Sequence, residues 1–478
     1  MNVAEGAAGT PRPSQTSRGK LRLRDVLRAD VPAIYGALAR DEAGDDRLVR
    51  WTYRLVHWLE RGSPRQVRAY IVPPPPLLWA YAPGDDSWAD QIHKRYLRAL
   101  WDEHGLLGKA GLLLLGLPAW LPVVLAMIAW STALNGGAIR RQSGKSVTRQ
   151  VVEQLWFAAR HGMLPPWYYM FEMFDPGQQA KAPHYIHRFE LKNGLLQILR
   201  RGIPSKRRTP TQNKIAFLKR CAKAGIRTLP TLAILKAGRL QMQGGTRTEL
   251  FAQDLFVKPS RGRGGEGAGL WRYSAEGYRL LDGAPLSPAA LLKHLAQVSK
   301  RTTLLVQPRA RNHAGIADLS NGALTTARIV TMRTETGGHE AVCALFRMAV
   351  GDNRLVDNFH AGGIAAPIDV ATGTLGAATD WGLRPRHGWK THHPDTGGRI
   401  EGRVLPLWAE TRALAERAHA AFDDRHIIGW DMAILADGPA IVEANGGPDT
   451  DMHQRVSREP LGNQRFGELM AFHLGSVR

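Results

Sequence analysis

The sequence predicts an α+β fold in three segments: a polar tail at 1–20, a mainly helical region at 21–200, and a strand-rich α+β region at 201–478. Three observations carry that prediction. Helical periodicity dominates the front half. Residues 325–380 alternate apolar and polar positions between turns at Gly337-Gly338, Gly351-Asp352-Asn353 and Ala371-Thr372-Gly373, the pattern of a β-meander. Near the end, two apolar runs, Gly429 to Leu435 and Pro439 to Asn445, flank a short turn and read as a β-hairpin.

Taken in order, residues 1–20 are rich in Gly, Pro, Ser, Thr and Ala. They lack the apolar core of a signal peptide and are expected to be disordered. From Leu21 to Leu59, apolar residues at Leu23, Val26, Leu27, Val31 and Ile34, then at Leu55 and Leu59, suggest helix. Pro73 to Pro76 break the chain, and Ala89 to Leu106 reads as a further helix. Residues 110–139 then carry no charge at all. A spanning helix needs about 20 apolar residues, so the length suffices. Trp120, Trp130, the preceding Lys109 and the following Arg140-Arg141 suit a membrane boundary. Pro118 and Pro122 argue against a straight span, and both flanks are basic, so charge gives no direction. A helix–break–helix dip returning to the same face reconciles these points; a hairpin buried in the soluble body is the alternative. Ser143 to Phe171 reads as one amphipathic helix ending near Pro165-Pro166.

The strand-rich region carries the candidate chemistry. Ala436, Asp437 and Gly438 suit a three-residue hairpin loop. That register sets Leu435 opposite Pro439 and Asp431 opposite Glu443. Side chains alternate along a strand, so Glu443 and Asn445 share a face. Three oxygen-bearing side chains thus converge, and Mg²⁺ takes one or two carboxylates plus phosphate oxygens. The alternative is a hairpin with polar residues on its solvent face. Upstream, Phe256-Val257-Lys258-Pro259 leads into a glycine-rich stretch containing Gly262, Gly264, Gly265 and Gly267. A dinucleotide or P-loop motif would enter a helix here, whereas Leu270-Trp271-Arg272-Tyr273 looks like another strand. The stretch therefore reads as a flap whose backbone N–H groups can approach phosphates, with Lys258 as a point charge beside them.

The order of these parts resembles the ATP-grasp superfamily. Lys214 opens a helix, then come the Lys258 strand, the flap, the strand Leu304 to Arg309, and the Asp431/Glu443/Asn445 hairpin. Thr325 to Thr331, Phe346-Arg347 and Val356 to Gly363 resemble the ribosomal-modification glutamate-ligase branch. His393-Pro394-Asp395-Thr396-Gly397 and the run from Glu443 to Pro448 are most similar to the sugar-transfer-associated ATP-grasp family. The resemblance covers roughly 205–460 and implies two α+β lobes clamping ATP. It implies that Lys214 and Lys258 contact phosphates and that Val306-Gln307 gives backbone contacts to adenine. Asp431, Glu443 and Asn445 would hold Mg²⁺, and Arg328, with Arg347, would act on the transferred phosphoryl group. Asn358 and His360 would line the substrate pocket. The implied activity is an ATP-dependent ligase joining a small-molecule or glycan carboxylate to an amine, in polysaccharide or glycoconjugate assembly. A phosphotransferase on the same fold, or a membrane scaffold with a vestigial nucleotide site, are the alternatives.

Composition bounds the partners. The formal net charge is +22, and residues 201–250 hold a dense basic run against the single acid Glu249. Such a field attracts polyanions. The run lacks interleaved aromatics for base stacking, which disfavours nucleic acid and leaves an anionic membrane surface or an acidic glycan. Cys221 and Cys343 are the only cysteines, as suits a reducing cytoplasm. His387, His392 and His393 fit no zinc spacing and read as loop residues near the active site.

Overall fold

A computed structural model describes residues 84–477, apart from short segments at 103–104, 112, 115–116, 202, 204–210, 212, 244–252, 262–266, 281–282, 352–358, 360–361 and 383–387. The expectations for the tail, for Leu21 to Leu59, for Pro73 to Pro76, for Gly262, Gly264 and Gly265, and for Asn358, His360 and His387 lie outside the described residues.

The described residues from 84 to 200 are mainly helical, as expected: α1 (Trp88–Asp102), α2 (Leu106–Gly111), α3 (Leu117–Ser143), α4 (Val147–His161) and α5 (Pro165–Met170) are followed by short helical turns through residues 176–198. Two boundaries differ from the sequence reading. Pro118 and Pro122 do not break the uncharged segment. Both fall within one 27-residue helix, α3. Pro118 is in the first turn, where a missing N–H costs little because those donors have no partner anyway, while Pro122 lies inside the helix and forgoes one i→i−4 bond without ending it. The helix expected over 143–171 is two helices. Ser146 caps α4 by accepting from Arg149 N–H, and Gly162 ends it in the left-handed conformation (φ 66°). Pro165 then opens α5 rather than ending its predecessor.

The rest is α+β. Helix α6 (Lys214–Lys223) precedes strands β1 (Ala233–Lys236), β2 (Arg239–Met242), β3 (Leu255–Pro259), β4 (Gly269–Ser274) and β5 (Gly277–Leu280), helix α7 (Pro288–Ser299) and strand β6 (Leu304–Pro308). These strands form one antiparallel sheet in the order β2-β1-β6-β3-β4-β5. Then follow β7 (Thr326–Arg333), β8 (His339–Met348), β9 (Ile364–Ile368), α8 (Trp408–Ala420), β10 (Ile427–Leu435), β11 (Gly438–Asn445), α9 (Thr450–Ser457) and α10 (Arg465–Ser476). The second sheet runs β11-β10-β7-β8-β9.

The second sheet is covered on both faces. On one, Ile329, Phe346, Trp430 and Met432 pack against Leu414, Ala415 and Ala418 of α8 and against Phe422. The apolar face of α8 therefore packs behind the hairpin. Each such side chain, fully buried, stabilises by roughly 1.5–3 kcal/mol. On the other face, Val330 and Met332 meet Ile92 and Tyr96 of α1, Leu195 and Ile198, and Phe466 and Met470 of α10. The front helices thus roof part of the sheet. Helix α9 ties them down: Gln454 exchanges two hydrogen bonds with the Ile186 backbone, each 2.9 Å. Buried Arg455 donates to Met170 O at 2.8 Å and to Glu172 at 2.9 Å.

Candidate active site

The hairpin is built differently from the sequence reading, and the difference matters. Leu435 pairs with Gly438, not Pro439, so only Ala436 and Asp437 form the loop. A two-residue loop carried straight through would set Asp431 opposite Val442 and turn Glu443 to the other face. A β-bulge beside Asp431 absorbs one residue and restores the Asp431–Glu443 pair. Bulges commonly re-aim a side chain next to a site. The glycine at 438 takes φ 119°, a conformation other residues rarely adopt.

Register then lines up a charged row across the sheet. Arg328 of β7 faces Asp431 of β10, which faces Glu443 of β11. Arg328 forks onto Asp431, with Nε donating to Oδ1 and Nη2 to Oδ2 at 2.9 Å. Arg347 of β8 adds a contact to Oδ2 at 3.2 Å and donates to Thr326 Oγ1. Arg328 and Arg347 are each 8% exposed and Asp431 3%. Neither arginine is therefore a surface charge. Burial raises the Asp431 pKa, but the two guanidiniums outweigh it and hold the carboxyl down at about 2. Gly429, opposite Val330, makes room for Pro448: a Cβ there would meet Pro448 Cβ at 3.0 Å, while Arg328 Cδ at 3.5 Å would be in ordinary contact.

Two lysines approach this row, Lys214 from the start of helix α6 and Lys258 from strand β3 of the first sheet. Asn213 caps α6, its side chain accepting from Ile215 and Ala216 N–H, and this fixes Lys214 at the helix start. Lys214 Nζ lies 4.0 Å from Glu443 Oε2. Lys214 N–H also donates to Ser260 O, just past β3. Lys258 has lost most of its water, which pushes its pKa down to about 8. Glu443 opposes that shift and Lys214 adds to it, so all three charges share one neighbourhood. The glycine-rich stretch does connect two antiparallel strands, β3 and β4. Gly267 in it has φ 72°.

Val306 and Gln307 sit in β6, an interior strand paired to β3 and β1. Val306 O accepts from Leu232 N–H at 2.9 Å, which leaves one of its two lone pairs. Gln307 is buried, and its side chain donates to Leu229 O and Thr231 Oγ1.

Do these residues fit a magnesium ion? Glu443 comes within hydrogen-bonding reach of Asp431. Two carboxylates this close are favourable only when a proton or cation lies between them. Asn445 follows on the same face, and its buried Nδ2 has no partner. Turning that amide over would present oxygen there. Among the described residues there is no group of three or more His, Cys, Asp or Glu that could hold a metal. Two carboxylates and an amide still meet the needs of Mg²⁺, which takes its remaining ligands from water and phosphate. Asp431 has about four lone-pair sites, three of them used by arginine. Glu443 and Asn445 are thus the better donors, and Asp431 chiefly anchors the arginines.

The structure adds residues that the sequence reading missed. Directly after Gly446-Gly447-Pro448, Asp449 meets Lys192 at 3.1 Å and Arg188 at 3.5 Å. Asp451 accepts from Trp167 Nε1–H at 2.8 Å and from Arg188 N–H at 3.1 Å. Burial and the neighbouring Asp449 charge push the Asp451 carboxyl up to about 7. His453 is 3% exposed, and neither ring nitrogen has a hydrogen-bond partner. Burial, reinforced by Arg328 and Arg347, drives its pKa down to about 3, so it stays neutral. The acidic pair at 449 and 451 was visible in sequence; its partners at 167, 188 and 192 were not, being far away in the chain. Of the expected histidines, His393 is spent structurally, bonded to Ala349 O at 3.0 Å.

Residues 201–465 match the family described as sugar-transfer associated ATP-grasp. No curated protein matches the sequence. Among solved structures, the chain is similar to N5-carboxyaminoimidazole synthase from Aspergillus clavatus in complex with ADP and 5-aminoimidazole ribonucleotide, at 14% identity, with 55% of each chain covered and a TM-score of 0.29. It is similar to D-alanine–D-alanine ligase from Bacillus anthracis complexed with ATP, at 10% identity over 56% of this chain and 67% of that one, TM-score 0.33. It is also similar to D-alanyl-alanine synthetase A from Vibrio cholerae, at 12% identity over 56% and 65%, TM-score 0.33. The chain spans about half the length of the first of these, at 55%. The family match itself takes in more than half of the sequence, and the protein belongs to the sugar-transfer associated ATP-grasp family.

Proposed function

We propose that this chain is an ATP- and Mg²⁺-dependent carboxylate–amine ligase that works through an acylphosphate. One observation carries the reading. Lys214, Lys258, Arg328 and Arg347 converge on two carboxylates, Asp431 and Glu443. Four cations against two anions leave a positive excess, which suits a polyphosphate and a second, carboxylate substrate. Arg328, Arg347 and Asp431 are buried, and charges so placed are worth more than at the surface.

In this reading the acid's carboxylate oxygen takes the γ-phosphoryl group. The bond from that phosphorus to the β-phosphate oxygen breaks, and ADP leaves. The amine nitrogen then attacks the acyl carbon. The carbon–oxygen bond to phosphate breaks, inorganic phosphate departs, and the nitrogen gives up a proton. Lys214 and Lys258 hold ATP phosphates. Arg328 and Arg347, kept in place by Asp431, neutralise charge on the moving phosphoryl group. Mg²⁺, when bound, would supply charge neutralisation at the phosphates, held by Glu443 and Asn445 with the last free site of Asp431. In this proposal the acid is a sugar acid or other glycan carboxylate, in polysaccharide or glycoconjugate assembly, with the site on the cytoplasmic side where ATP is; the association of the family with sugar transfer supports that choice.

Product analysis tests this. With ATP, Mg²⁺ and pools of sugar acids and amines, a ligase releases ADP and inorganic phosphate in equal amounts, and only when both acid and amine are present. ADP with a phosphorylated acceptor and no free phosphate would make the protein a phosphotransferase. No nucleotide turnover or binding under any condition would contradict both and favour a scaffold.

A further inference from the structure

The apolar helix α3 is packed the wrong way round for a water-soluble protein. Its protein-facing side carries Ser131, Asn135 and Gly136 as well as Val124, Ile128 and Ile139. Ser131 Oγ donates to Gln154 Oε1 at 2.8 Å, and Gln154 Nε2 donates to Thr132 Oγ1 at 2.8 Å. Tyr169 OH donates to Gln150 Oε1 at 2.9 Å, and Gln150 Nε2 donates to Gly136 O at 3.1 Å. Gln150 and Gln154 are both 0% exposed. A polar seam therefore joins α3 to α4 and α5.

The outward side is the apolar one. Leu121, Val123 and Leu125 are 44%, 47% and 45% exposed, and Val152 and Trp156 of α4 are 61% and 60%. Ala126, Ala129 and Ala133 continue the α3 face. Only 33% of the most apolar stretch of Trp120–Ser143 is buried within the protein, so this is not a core helix. Helices joined through amides and hydroxyls, with aliphatic side chains facing out, suit hydrocarbon rather than water.

We propose that the outward face of α3 and α4 lies in one leaflet of an anionic membrane and holds the catalytic region at its surface. This goes beyond the ligase reading and does not depend on it. Charge selects lipid as the occupant: from Gly105 to Val152 there is no Asp or Glu, while Lys109, Arg140 and Arg141 are basic, and the next acid, Glu153, is already paired with Lys145 and Arg149. Arg140 and Arg141 are exposed where α3 ends. Basic residues at the rim of an apolar face attract anionic headgroups. The face lies on the membrane rather than crossing it. One side of α3 is committed to α4 and α5, and α5 is tied to the catalytic region by Trp167 on Asp451 and Met170 O on Arg455.

Flotation of the full chain with vesicles of phosphatidylcholine, alone or with one third phosphatidylglycerol, tests this (roughly the anionic content such surfaces present). Wild type should float with the anionic vesicles and be retained poorly by the neutral ones. Leu121→Glu with Leu125→Glu should lower the partition by about tenfold or more. Arg140→Gln with Arg141→Gln should lower it several-fold on anionic vesicles only, and more so at low salt. A wild-type-like far-UV spectrum and cooperative thermal melt would show that each variant is folded. Failure of wild type to float on anionic vesicles would overturn the proposal, as would unchanged flotation of the double glutamate variant. If that variant instead turned an oligomer into a monomer, with no vesicle binding by wild type, the face would belong to a second copy of the chain.

Discussion

The five-stranded sheet and the α3–α4 pair solve opposite problems with opposite interiors. The sheet buries Ile329, Phe346, Trp430 and Met432 against α8 and gathers its charges in one row, Arg328, Asp431 and Glu443, at the cleft. The helix pair buries Gln150, Gln154 and Ser131 and turns leucine and valine outward. In the sheet, polar groups are left for a ligand to use. In the helix pair they are consumed internally, and the unmet need is apolar. Charge gathered on the sheet suits a charged solute, and the apolar outward face of the helix pair is the part we propose meets lipid.

The largest test of the comparison is Asp431→Ala. It leaves Arg328 and Arg347 buried without their shared anion, and should cost about 3–5 kcal/mol in urea unfolding. A cost below about 1 kcal/mol would mean that the buried fork is not formed in solution. Next comes Gln154→Leu. In an ordinary interior this change would be neutral or stabilising. Here it removes the shorter hydrogen bond of each of the Ser131 and Thr132 hydroxyls, leaving them Ile128 O at 3.3 Å and Tyr169 OH at 3.4 Å, so thermal unfolding should show a loss of about 1–3 kcal/mol. A gain would show that the seam is not the glue between the helices.

Asp451 lies where the two regions meet, and its test is pH. Its carboxyl is pushed up to about 7 from 3.8. Between those values the folded protein keeps a proton that the unfolded chain has lost, so stability falls as pH rises through that window. Asp451→Asn should remove that decline, gaining roughly 1–2 kcal/mol over wild type near neutral pH and nothing near pH 4. Melting curves across the range check it. The smallest effect concerns Lys258. Held down at about 8, it is cationic below that pH and neutral above. ATP affinity should weaken as pH rises through about 8, by less than about tenfold, and Lys258→Arg should flatten the profile by calorimetry.

Much of the catalytic region was legible because its signals are local. Asn213 before Lys214, the flap glycines between two strands, and the alternation through β7 and β8 each act within a few residues. The loop and bulge of the hairpin were not legible. A three-residue loop and a two-residue loop with a bulge give the same Asp431–Glu443 pair, and sequence alone does not separate them. Nor could spacing reveal that Trp167, Arg188 and Lys192 meet Asp449 and Asp451, since that depends on how α9 docks on the front helices. The polar seam was partly readable. Gln150 and Gln154 are four apart and share a helix face, but the uncharged run beside them drew attention to length and prolines instead.

The account rests most on the cleft that joins Lys214 and Lys258 to Glu443. The direct measurement is thermal stabilisation of the full chain by a non-hydrolysable ATP analogue, with and without Mg²⁺, beside Glu443→Ala. Glu443 is half-buried at 34% side-chain exposure, so its loss should leave the melting temperature without ligand nearly unchanged. The account predicts a Mg²⁺-dependent rise in wild type that Glu443→Ala lacks. An equal rise in both proteins, or none in wild type, would contradict it.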